Sequence, residues 1–63
     1  MPNNIRLQVE LPAAEAWAFA QFLKRVYREH YRALSVDDDE ADHMLAAGEA
    51  IRRALAEAGY APR

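Results

Sequence analysis

His43 follows Asp39 by four residues, a spacing that sets two potential metal ligands on one face of a helix. Two ligands without a third do not hold a metal, so His43 reads as an exposed side chain, and no metal or other cofactor is expected. His30 falls between Tyr27 and Tyr31 inside an apolar arc and reads as a histidine satisfied at an interface. The chain contains no Ser/His/Asp set, no Gly-rich phosphate loop and no cysteine, and 63 residues leave little room for a cleft of ordinary ligand size. Its chemistry points away from catalysis and toward recognition, so a non-enzymatic protein is expected.

Two groups of residues are candidates for that recognition. Lys24, Arg25, Arg28 and Arg32, with Gln21 and Glu29, share one face of a helical stretch, and Trp17 stands at the edge of the apolar side. Trp17, Gln21, Lys24, Arg25, Arg28 and Arg32 form the candidate partner surface, because aromatic and arginine side chains are enriched at protein interfaces. The second group, Arg6, Gln8 and Glu10, alternates with apolar residues near the N-terminus. Arginine and glutamine can pair bidentately with guanine and adenine, and glutamate can accept from cytosine.

The elements that must position these groups follow from periodicity. Ile5, Leu7, Val9 and Leu11 recur at every second position with polar residues between them, the pattern of a half-buried strand. One strand in a chain this short has no ladder partner of its own, so antiparallel pairing with a second copy is expected, with these four residues as the dimer strand. Size supports the same expectation. A single domain spanning 1–63 lies below the length at which one core usually suffices, and without cysteine no disulfide can staple it. A homodimer would supply the missing burial, although much of the 52% hydrophobic content is alanine.

Pro12 suits the opening of a helix, and the spacing predicts a first helix over 12–34 whose apolar arc spans about half its circumference. That arc contains Ala16, Phe19, Ala20, Phe22, Leu23, Val26, Tyr27, His30, Tyr31 and Leu34. It is wider than one neighbouring helix would cover, so the helix is expected to pack within its own chain on one side and on a partner chain on the other. A second helix begins at Asp37, which with Glu40 forms a capping box. Val36 and Ala41 stand at the hydrophobic-staple positions, and Asp38 and Asp39 favour the helix dipole. Its seam is Ala41, Met44, Gly48, Ile51, Leu55 and Ala58, with close backbone approach expected at Gly48 and termination at Gly59.

The order strand, helix, helix resembles the ribbon-helix-helix fold of small bacterial repressors, and residues 6–12, RLQVELP, resemble the family's ribbon and the start of its first helix. The resemblance implies a mainly α, β-α-α dimer with the strand paired between chains, and it would place Arg6, Gln8 and Glu10 in the DNA major groove. Residues 11–25, LPAAEAWAFAQFLKR, and 54–63, ALAEAGYAPR, are similar to short uncharacterised bacterial proteins encoded on plasmids and genomic islands. That second resemblance implies an accessory protein of a mobile element.

Charge decides between the partners. The second helix opens on Asp37, Asp38, Asp39 and Glu40, which would repel phosphates at the terminus where such a fold would bind them, and the net charge is −2. The expected function is therefore a small dimeric binding module, a regulator or inhibitor acting on another protein, with a DNA-binding repressor as the alternative. No apolar run approaches bilayer-spanning length and Met1-Pro2-Asn3-Asn4 has no signal-peptide character, so no membrane partner and a cytoplasmic location are expected.

Overall fold

Three helices, α1 (Ala13–Arg25), α2 (Arg28–Ala33) and α3 (Asp38–Glu57), follow an N-terminal stretch without regular structure in the computed structural model, which describes residues 3–63. Met1 and Pro2, part of the stretch read above for targeting, lie outside the described residues. The fold is all-helical. The β-α-α ribbon-helix-helix expectation is thus corrected: no described residue is in a strand, and Ile5, Leu7 and Val9 are 79%, 74% and 69% exposed. Alternation gives a segment two sides, but a strand also needs a neighbouring backbone to complete its ladder, and no other described segment offers one.

Helix α1 starts where its alanines and the fixed φ of Pro12 direct it. Pro12 is the N-cap itself, and its carbonyl accepts from the N–H groups of Glu15 and Ala16, both at 3.0 Å. Glu15 in the first turn and Lys24 and Arg25 in the last complement the helix dipole. The helix ends nine residues before the expected 34. Val26 and Tyr27 turn extended, with ψ of 137° and 168°, after the Val26 N–H closes a last bond to the Phe22 carbonyl. The interruption is capped from beyond: the Tyr27 N–H donates to His30 Nδ1 at 2.9 Å, and the two rings stack 5.9 Å apart. His30 therefore starts α2 as well as lining an apolar surface.

Helix α3 is capped at both ends. Asp37 accepts from the Glu40 N–H at 2.9 Å, while Glu40 Oε1 accepts from the N–H of Val36, one residue outside the expected box. Val36 is 80% exposed, so the anticipated staple with Ala41 does not form. At the far end Gly59 has φ of +100°, the Tyr60 N–H reaches the Leu55 carbonyl and the Gly59 N–H that of Ala56, a Schellman arrangement.

Helix α3 is the spine on which α1 and α2 both pack. The core is small: Ala16, Ala20 and Leu23 of α1 meet Ala41 and Gly48 of α3, and among the described residues no large side chain is completely buried. Small residues let helices approach closely, yet each removes little apolar area from water. The dimensions record the consequence. The extents are 33 × 29 × 16 Å, a flattened body.

Candidate functional site

An open apolar surface lies beside the core. A groove of about 840 Å³ runs between the N-terminal stretch, α1 and α3, lined by Leu7, Val9 and Leu11, by Phe19 and Phe22, and by Ile51 and Leu55. The alternation in the N-terminal stretch is visible here, since Leu7, Val9 and Leu11 line the groove whereas Arg6, Gln8 and Glu10 do not. A second hollow of about 590 Å³ lies along α1 and α2, lined by Val26, His30, Tyr31 and Leu34. Ala18 and Phe22 belong to both, so the two hollows form one face. Phe22 is 51% exposed and stacks on Phe19 with ring centroids 5.5 Å apart.

Helix α1 is consequently apolar on two sides. Ala16, Ala20 and Leu23 turn into the core, while Ala18 and Phe22 lie on the open face. Charges bracket that open face. Glu15 borders one hollow and Arg25 the other, and neither has an ion-pair partner among the described residues.

The expected partner surface is divided between two helices, Trp17, Gln21, Lys24 and Arg25 on α1 and Arg28 and Arg32 on α2. Trp17 packs edge-on against Tyr60, ring centroids 5.2 Å apart, and Gln21 and Lys24 are half-buried. Arg28 and Arg32 are turned to a different use. Arg32 Nε donates to Asp38 at 2.8 Å, Arg28 Nε to Asp42 at 2.9 Å, and the other end of the Arg28 guanidinium lies 3.5 Å from Asp38. Hydrogen bonding and charge from Arg32, then from Arg28, hold the Asp38 carboxyl below the usual carboxylate range, and Asp42 above all raises Arg28. The acidic start of α3 and half of the basic row thus form one exposed clamp that ties α2 to α3. Two rows of i,i+4 charge flanking a short loop were visible in the sequence; their meeting depends on the break at Val26 and Tyr27.

The candidate DNA-reading residues Arg6, Gln8 and Glu10 lie on an exposed stretch without a paired ribbon to present them. His43 and Asp39 are both exposed, and among the described residues no three His, Cys, Asp or Glu side chains gather as metal ligands. No described helix is long and apolar enough to cross a membrane.

Neither the curated proteins nor the solved structures contain a match to this chain. A family profile does match it, from residue 1 to residue 63, and the chain therefore belongs to DUF7706, a family of unknown function.

Proposed function

We propose that this chain is a non-enzymatic, dimeric binding module, a small regulator or inhibitor of the kind carried by bacterial mobile elements, acting on another protein. The observation that carries this is the apolar groove between the N-terminal stretch, α1 and α3, where Leu7, Val9, Leu11, Phe19, Ile51 and Leu55 line one open surface. Exposed apolar area on this scale is costly in water and is characteristic of association surfaces. The charge distribution supports a protein partner over DNA, because Arg28 and Arg32 are already matched by Asp38 and Asp42 and the net charge is −2.

Site-specific photo-crosslinking in host cells tests this. A crosslinker at Phe19 should give adducts with a different polypeptide, and one at Arg53, on an exposed part of α3 that lines neither hollow, should not. Adducts with no other polypeptide from Phe19 would refute action on another protein. Tight binding of a random DNA duplex with a steep salt dependence would restore the repressor alternative.

A further inference from the structure

Along the open side of α1, Glu15, Ala18, Phe22 and Arg25 are spaced three, four and three residues apart. That is the seam of a helix that packs lengthwise on another helix. The seam is symmetric about the level of Ala20: Ala18 and Phe22 stand two residues to either side, Glu15 and Arg25 five. We infer that two copies of this chain associate through these seams, with their α1 helices antiparallel about a twofold axis at that level. Each Phe22 then covers the partner's Ala18, a large side chain against a small one. Each Glu15 faces the partner's Arg25, about 15 Å from its own at 1.5 Å of rise per residue. A parallel pair would set Glu15 against Glu15 and Arg25 against Arg25. The charges that bracket the apolar face select the antiparallel arrangement.

The area left exposed fits a second copy. A compact monomer of 7.2 kDa exposes about 4,100 Å², whereas this chain exposes 5447 Å². Part of that excess of about 1,300 Å² belongs to the extended N-terminal stretch, where Ile5, Leu7 and Val9 are largely exposed, and part to the open side of α1, where Phe22 is 51% exposed. A second α1 also covers the side of α1 on which its own chain leaves Phe22 exposed. The interface is helical and needs no strand from residues 5–11. It rests on the dimeric part of the proposed function and specifies where the copies meet.

A charge-reversal cycle read by sedimentation velocity on the full chain tests the inference. Wild type should be dimeric at micromolar concentration. Glu15→Arg and Arg25→Glu should each weaken dimerisation at least tenfold, because each replaces two attractive pairs by two repulsive ones. The double variant should recover most of the loss, since each pair is restored with its signs exchanged. Phe22→Asp should be monomeric with its helical circular dichroism retained, as this side chain lies outside the core. A dimer indifferent to the single reversals, or a double variant no better than either, would overturn this interface and leave a dimeric module intact. A wild-type chain that stays monomeric would overturn both the interface and the dimeric reading, while the crosslinking result at Phe19 would still decide whether it binds another protein.

Discussion

Replacing Gly48 by alanine should destabilise the protein even though it removes a glycine from the interior of a helix. In isolation the change favours the helix by about 1 kcal/mol. A Cβ at this position, however, would collide with the Tyr31 hydroxyl and sit 3.2 Å from its Cζ, while Leu23 Cδ2 remains at an ordinary 3.6 Å. Overpacking of this kind typically costs about 1–3 kcal/mol, so the net loss is roughly 1 kcal/mol, or about 4–8 °C in Tm for a domain of this size. The assay is thermal unfolding followed by circular dichroism, repeated in a Tyr31→Ala background. There the obstructing ring is gone, and Gly48→Ala should raise Tm by about 4–8 °C over Tyr31→Ala alone, as helix propensity becomes the dominant effect. A rise in the wild-type background would show that Tyr31 does not cover position 48 and that α2 docks on α3 in another way.

Three further outcomes follow from the fold. Val9→Pro should leave helical content unchanged and stability within about 0.5 kcal/mol, because Val9 belongs to no ladder; a collapse of the melting transition would reinstate a paired strand. Asp38 titrates below its ordinary value of 3.8, so the stabilisation from its ion pairs is complete above that pH and is lost as pH falls through the lowered value. Asp38→Asn should therefore melt below wild type at neutral pH and converge with it in strong acid, whereas parallel acid limbs would show that the pairs do not contribute. Gly59→Ala places a Cβ in the left-handed region at φ of +100° and should cost about 1–2 kcal/mol in chemical denaturation, with an unchanged midpoint counting against the Schellman end.

The helix that begins after Asp37 was the most legible element, because its signals are local. Asp37 caps it, Gly59 ends it, and the apolar seam correctly put Ala41 and Gly48 in the core. What approaches Gly48 is the ring of Tyr31 and the side chain of Leu23; the sequence suggested a backbone. The break at Val26 and Tyr27 was not legible, since neither proline nor glycine marks it. It is set by distant partners: Arg28 reaches Asp42, Arg32 reaches Asp38 and Tyr31 lies over Gly48. At the N-terminus, alternation of Ile5, Leu7, Val9 and Leu11 suggested a strand, but alternation alone cannot show whether a ladder exists; Leu7, Val9 and Leu11 line the groove and Ile5 does not.

The interruption also explains why the apolar face has its present form. An unbroken helix over 12–34 would carry Arg28 and Arg32 along the same straight row as Lys24, where like charges repel at i,i+4 spacing. By ending at Arg25, α1 releases the following turn to bring both arginines onto the acids that open α3. The charge that would have crowded one helix face is neutralised within the chain, and Tyr31 is drawn onto Gly48. Helix α1 is thereby left with Ala16, Ala20 and Leu23 in the core and with Ala18 and Phe22 exposed. A close interface made largely from alanine and glycine holds the helices near one another while contributing little apolar burial. The larger apolar side chains lie outside it, on the surface where further burial requires another chain.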